Sequence, residues 1–271
     1  MSINYKIIAD ETLHILEQGF YINTKNEKVE INSLVEHAKD NTRLYTPEQL
    51  EQLNISISAK EKFDTQFAVT NETTLDAARR FAGSNDLLAL NFASAKNPGG
   101  GFLRGMVAQE ESIARASGLY PCLLTAPQYY EFHRSAGSPL YSDHMIYSPG
   151  VPVFKYEDGS LMDQPIQVSI ITSAAVNVTD LDRKDSSKMS MVEPIMRMRI
   201  EKMLALCYEH NHSSLLLGAW GCGVFGNNPE LIAGLFREAF DNKFRGCFQN
   251  VLFAIKTSSE EMLETFRKRF N

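Results

Sequence analysis

Two glycine-rich runs and one pair of acids carry the chemistry this sequence could perform. The first run is Asn97-Pro98-Gly99-Gly100-Gly101, and Gln109-Glu110-Glu111 follows it after a seven-residue spacer. The second is Gly221-Cys222-Gly223-Val224-Phe225-Gly226. Glycines lack a β-carbon, reach positive φ freely and let the backbone lie directly against a ligand. Glycine amides at the mouth of a helix also cradle phosphate. Two such cradles suggest a nucleotide diphosphate, although a plain surface turn is the alternative for the first. A carboxyl group beside a cradle can serve as a general acid or base. Neighbouring helical residues diverge by about 100°, so one glutamate is expected to do chemistry and the other to bind. The plainer alternative is that acids favour a helix N-terminus. That position lowers a carboxyl pKa, whereas a general acid must keep its proton. Burial, the second glutamate and a bound diphosphate would oppose the lowering.

The second run matches G-x-G-x-x-G, the dinucleotide fingerprint. It sits near the end of the chain instead of in a first strand–helix unit, and Asn227-Asn228-Pro229 delays the next helix. A nicotinamide-dependent oxidoreductase is therefore disfavoured. Phe225 at the loop tip could stack on a ring or cover a sugar, or simply anchor the loop.

The elements that must position these loops follow from periodicity. Helices are expected at Ile8–Leu16 and Pro47–Leu53. QFAVT (66–70) reads as a strand, followed by a helix in NETTLDAARRF, where Thr73 and Asp76 have capping-box spacing. LLALNF (87–92) is a buried strand, and a helix starts near Gln109. HMIYSPGVPVFKYEDGS reads as two short strands around a Ser-Pro-Gly turn. VSIITS (168–173), SLLLGAW (214–220) and NVLFAI (250–255) are further strands. Helices are expected over 193–212, from Asn228-Pro229 onward, and at the end, where Ser258 and Glu261 have capping-box spacing. Continuous apolar strands alternating with helices predict an α/β sandwich with both sheet faces covered. Ligands then bind on loops at the carboxyl ends of strands, which are the loops named above.

The chain has 271 residues and a net charge of −6, from 27 basic and 33 acidic side chains. That balance argues against non-specific duplex binding. Cys122, Cys207, Cys222 and Cys247 form no CxxC pair, so buried, reduced thiols are expected. His210 and His212 are expected to serve as a positive or capping group at a helix end, not as metal ligands. No signal peptide and no apolar run of membrane length is evident. The expectation is a cytoplasmic monomer without a membrane partner.

NFASAKNPGGGFLRGMVAQEE resembles the GGG-x(6–8)-QEE signature of the poly(ADP-ribose) glycohydrolases. GAWGCGVFGNNPELIA looks like the diphosphate loop of the bacterial-type members, and ADETLHILEQGFY is similar to their N-terminal stretch. The resemblance implies a macrodomain-like three-layer α/β/α sandwich with a mixed sheet. Residues 1–60 would be a mostly helical extension and residues 61–271 the catalytic core. It implies hydrolysis of the ribose–ribose bond of poly(ADP-ribose), with ADP-ribose as product and no metal or other cofactor. By the match Glu111 is the catalytic acid and Glu110 holds ribose hydroxyls. Gly99, Gly100 and Gly101 wrap the pyrophosphate and terminal ribose, with Asn97 on the ribose and Gln109 completing the set. Gly221, Cys222, Gly223, Val224, Phe225 and Gly226 clamp the diphosphate, and Glu72 and Thr73 sit where relatives read adenine. Bacterial-type members generally cut from the chain end. Two other readings stay open: a non-catalytic ADP-ribose reader, and a hydrolase that frees ADP-ribose from a side chain or nucleobase of an ADP-ribosylated macromolecule. The adenine-stacking aromatic also stays open among Phe225, Phe102, Tyr129 and Tyr130.

Overall fold

The apolar runs pair into one seven-stranded sheet. A computed structural model describes residues 3–58, 60–80 and 86–271 of the chain. The N-terminal part holds α1 (Tyr5–Gln18), β1 (Phe20–Ile22), β2 (Lys28–Glu30), α2 (Asn32–Asp40), β3 (Arg43–Tyr45) and α3 (Pro47–Ser56). Next come β4 (Gln66–Thr70), α4 (Thr74–Arg80), β5 (Leu87–Phe92), α5 (Gln109–Ala116), α6 (Leu119–Leu124) and α7 (Pro127–Ala136). A long hairpin of β6 (Met145–Lys155) and β7 (Leu161–Ser173) leads to α8 (Val178–Asp185) and α9 (Val192–Glu209). The chain ends with β8 (Ser214–Leu217), α10 (Pro229–Asp241), β9 (Asn250–Ala254) and α11 (Glu260–Phe270). Phe81, the last residue of the helix expected after Thr73, lies outside the described residues.

The strand order is β3-β6-β7-β5-β8-β9-β4. Strands β4, β9, β8, β5 and β7 run parallel, and β6 and β3 join antiparallel. Strand alternation divides the core into two layers. Leu88, Leu90, Ile171, Leu215, Leu217, Val251 and Phe253 pack with α9, α10 and α11. Leu87, Ala89, Ile170, Leu216 and Leu252 pack with α4 to α7. Each fully buried Leu, Ile or Phe contributes about 1.5–3 kcal/mol. This is the expected three-layer sandwich with a mixed sheet. Its parallel strands bring the loops after β5, β7 and β8 to one edge.

Several local expectations are corrected. Residues 145–155 form one strand, not two. The Pro149-Gly150 signal marks a bulge between Ser148 and Val151, with Gly150 at φ +57. The chain reverses instead at Gly159 (φ +88), whose amide donates to the Tyr156 carbonyl at 3.0 Å. The cap of α11 is Ser259, which accepts from the Met262 amide at 3.2 Å, so Ser258 is one residue early. Strand β8 stops at Leu217, and a β-carbon on the next residue, Gly218, would lie 2.7 Å from the Ala254 carbonyl oxygen and 2.8 Å from the Phe92 ring. Beside helices α1, α2 and α3, the described part of the first 60 residues, still mostly helical, carries the short strands β1, β2 and β3, of which β3 pairs with β6 in the main sheet.

Of the two roles expected at the helix end, capping holds for His210, the C-cap of α9, whose amide donates to the Leu206 carbonyl, whereas the charged role is corrected. Burial lowers both imidazole pKa values, His210 to about 4. His210 stacks on Tyr147 at 3.7 Å and His212 Nε2 lies 2.9 Å from the Tyr147 hydroxyl. Neutral rings serve that packing. All four cysteines are buried and free.

Candidate active site

The run after β5 is shaped by Ser94. Its hydroxyl accepts from the amides of Lys96 and Asn97 at 3.3 and 3.1 Å, a local turn that reverses the chain after the strand. Gly99 and Gly100 then take φ +69 and +62. Helix α5 opens at Gln109 with Glu110 and Glu111 in its first turn and no side-chain cap. Glu111 is half-exposed, and its Oε1 accepts from the Gly101 amide at 2.8 Å. Glu110 is 3% exposed; its Oε2 accepts from the Ser94 amide at 2.6 Å and its Oε1 from Asn91 Nδ2 at 3.3 Å.

The two carboxylates converge. A β-carbon on Gly100 would lie 2.3 Å from Glu111 Oε1 and 3.1 Å from Glu110 Oε2. The expected divergence of about 100° describes backbone directions. Two flexible glutamate side chains overcome it, and glycine at position 100 leaves the room. Burial pushes the Glu110 carboxyl up to about 8. The Ser94 and Asn91 bonds oppose that rise, and the neighbouring Glu111 adds to it. Near Glu110 the hydroxyls of Tyr129 and Tyr130 are buried, with no hydrogen-bond partner of good geometry among the described residues. Burial, and secondarily Glu110, raises both phenol pKa values.

Gln109 is engaged by the fold itself. Its Oε1 accepts from the Phe92 amide at 2.8 Å. Its Nε2 donates to the Leu90 carbonyl at 2.7 Å and to Thr74 Oγ1 at 3.1 Å. The side chain therefore ties the end of β5 to the start of α4.

The second run is a closed loop after β8. The Asn227 amide donates to the Gly221 carbonyl at 3.0 Å, and Asn227 Nδ2 donates to the Val176 carbonyl at 2.7 Å. Thr179 at the start of α8 donates its amide to the Phe225 carbonyl at 3.2 Å. Gly221 and Gly226 take φ +75 and +69. Cys222 is buried, whereas Val224 is 84% exposed. Among the described residues, the consecutive amides of Gly223, Val224 and Phe225 donate to no protein acceptor. Three such amides on an exposed loop can receive an anion. The loop before α8 and the loop after β8 meet directly, since a Gly221 β-carbon would lie 2.6 Å from Ala175 Cβ.

The remaining expected residues lie around these loops. Asn97 has an exposed side chain at the turn, and its carbonyl accepts from the Gly100 amide at 3.0 Å. Thr73 caps α4 through the Asp76 amide at 3.1 Å, as its spacing predicts. Glu72 pairs with Arg80 at 2.5 Å. Of the four candidate stacking aromatics, Phe102, Tyr129 and Tyr130 are at most 2% exposed. Phe225 alone keeps accessible surface while packing on the core, 6.0 Å from Tyr141. Sequence reasoning missed Asn91, Ser94 and Thr179. Asn91 had a signal, a polar residue inside a buried apolar strand. Ser94 had one as well, a turn former just after a strand. Thr179 had none, because the partner of its hydroxyl, the Val224 carbonyl, is 45 residues away.

Comparison with known proteins agrees with this geometry. Residues 9–156 match the family described as microbial-type PARG, catalytic domain. The crystal structure of poly(ADP-ribose) glycohydrolase from Thermomonospora curvata is 43% identical, with 98% of this chain and 99% of that chain covered and a TM-score of 0.94. The Thermomonospora curvata enzyme bound to the inhibitor ADP-HPD gives the same identity and coverage and a TM-score of 0.91. The enzyme from Deinococcus radiodurans in complex with ADP-ribose is 42% identical, with 89% of this chain and 98% of that chain covered and a TM-score of 0.84. A search of curated proteins found no match. With the family matched over residues 9–156 and a solved relative 43% identical along nearly the whole chain, this protein belongs to the microbial-type poly(ADP-ribose) glycohydrolases, glycosidases that hydrolyse poly(ADP-ribose).

Proposed function

We propose that the chain cleaves the ribose–ribose O-glycosidic bond at the end of poly(ADP-ribose) and releases ADP-ribose, with Glu111 as general acid and then general base. One observation supports Glu111 over Glu110. Glu111 is half-exposed and steered by the Gly101 amide, whereas Glu110 is enclosed by Ser94 and Asn91.

In this reading the diphosphate of the terminal unit lies on the amides of Gly223, Val224 and Phe225. Glu111 gives its proton to the leaving ribose oxygen as the glycosidic bond breaks. The shortened polymer departs with a free hydroxyl. The terminal ribose becomes oxocarbenium-like, and the nearby diphosphate charge stabilises it. The Glu111 carboxylate then takes a proton from the water that attacks this centre, which restores the acid. Glu110, whose carboxyl burial pushes up to about 8, holds a ribose hydroxyl. This differs from the usual glycosidase layout of two carboxylates across the scissile bond. Four free, buried cysteines support a cytoplasmic setting.

The test is incubation with poly(ADP-ribose) beside Glu111→Gln. Wild type should release monomeric ADP-ribose, and the variant should lose roughly a hundredfold or more of turnover while still binding ADP-ribose. Undiminished release by the variant would overturn the role of Glu111. Oligomeric fragments as the first product would overturn chain-end cleavage.

A further inference from the structure

Helix α1 packs on the far side of the catalytic loop. Ala9 of α1 shares a small buried cluster with Phe102 and Ala114. Between helix and loop lies Arg115, 3% exposed and one helical turn after Glu111. Its Nη1 donates to the Met106 carbonyl, and its Nη2 to Ser112 Oγ at 3.3 Å. The guanidinium sits 4.6 Å from the ring centre of Tyr5. The Arg115 carbonyl accepts from Thr12 Oγ1, so α1 holds this residue by ring and by hydroxyl.

Met106 passes the constraint on. Its amide donates to the Gly101 carbonyl at 3.2 Å. Its Cγ lies 2.6 Å from the place a Gly101 β-carbon would take. Gly101 in turn gives its own amide to Glu111 Oε1. A continuous route of packed, hydrogen-bonded groups thus runs from α1 through Arg115 and Met106 to the glutamate.

We propose that Arg115 is a positioning residue for the hydrolysis: braced by α1, it fixes the 102–108 spacer so that Gly101 presents its amide to Glu111. The inference rests on the reading of Glu111 as acid and base. Burying a guanidinium is unfavourable unless its donors are matched and its charge is balanced. Met106, Ser112 and the ring of Tyr5 meet that need, with the carboxylates of Glu157 and Glu111 acting on the same charge. The cost is accepted at a point from which a small shift reaches the reacting carboxylate. A misplacement of about 1 Å there can lower a rate about a hundredfold.

The test uses the full chain and compares Arg115→Met, Arg115→Lys and Thr12→Val with Glu111→Gln. Turnover on poly(ADP-ribose), ADP-ribose affinity and Tm are measured, with kinetics run below each variant's Tm. Arg115→Met should lose roughly ten- to a hundredfold in kcat, while ADP-ribose Kd changes by less than about threefold. Arg115→Lys should recover part of kcat, since it can still reach one carbonyl. A lowered Tm with wild-type kcat in the folded variants would overturn the proposal. Should Arg115→Met fail to fold, Thr12→Val and Arg115→Lys are judged by the same split between kcat and Kd. Wild-type turnover in Glu111→Gln would remove the acid–base reading and the brace with it. A dead Glu111→Gln beside fully active Arg115 variants would overturn the brace alone.

Discussion

Gly101 donates its amide to Glu111 Oε1 at 2.8 Å, across ten residues of chain. One end of the glycine run therefore gives its amide to the glutamate. The run and the pair are a single unit, in which backbone positions carboxylate. Three consecutive amides without a protein acceptor among the described residues lie on the other loop, at Gly223 to Phe225. The two glycine runs thus differ: one gives an amide to a carboxylate, and the other leaves consecutive amides open.

Gly100→Ala should remove activity. Position 100 has φ +62, which costs a non-glycine residue roughly 1–2 kcal/mol. The new methyl would also meet Glu111 Oε1 at 2.3 Å and push it off the Gly101 amide. Turnover on poly(ADP-ribose) should fall by about a hundredfold, with a modest loss of Tm. Wild-type kcat in this variant would mean that Glu111 works from another position.

Glu110 should make stability depend on pH. Its folded pKa is about 8, above the ordinary value of 4.5. Between those values the folded state keeps a proton that the unfolded chain releases. The contribution is fully present below about pH 4.5 and is lost as pH rises through about 8. Stability of the wild type should decline across that window by on the order of 5 kcal/mol relative to Glu110→Gln. Urea unfolding of both proteins at several pH values measures it. Parallel curves would show that Glu110 is ionised throughout.

The two ends of the second loop should respond differently to a methyl group. A β-carbon on Gly226, at φ +69, would lie 2.5 Å from Thr179 Oγ1 and loosen the α8 contact. Gly226→Ala should lower both Tm and ADP-ribose affinity. Gly223 has no heavy atom within 4 Å of a β-carbon. Gly223→Ala should keep Tm and lose about tenfold in affinity, because the methyl enters the space of the anion. Calorimetry beside thermal melts separates the two. Unchanged affinity in Gly223→Ala would remove this loop from the diphosphate site.

Much of this was legible before the structure, for a physical reason. LLALNF, QFAVT and the helix caps at Thr73 and Asn228 are local signals, and each element forms at its expected place. The same holds for glycine runs, which announce backbone exposure by composition. What could not be read is long-range. The convergence of Glu110 and Glu111 on Gly100 depends on a turn made by Ser94. The link from Thr12 to Arg115 spans 103 residues. Pro149-Gly150 misled because a bulge and a hairpin turn use the same residues; only the pairing of β6 with β7 distinguishes them.

Gln109 offers a test between two uses of one side chain. The family signature implies a place in substrate binding, while the structure engages its amide with Phe92, Leu90 and Thr74. Replacing it with Met keeps much of the volume and removes all three bonds. The Phe92 amide and Leu90 carbonyl would then lose their partner where β5 meets the active loop. Leaving buried polar groups unpaired costs about 1–3 kcal/mol each. Gln109→Met should therefore lower Tm, and should lower kcat because the end of β5 sets the start of the glycine run. ADP-ribose affinity should change less than kcat. If KM and ADP-ribose Kd rise together while Tm stays at the wild-type value, Gln109 acts on the substrate and its bonds to β5 are incidental.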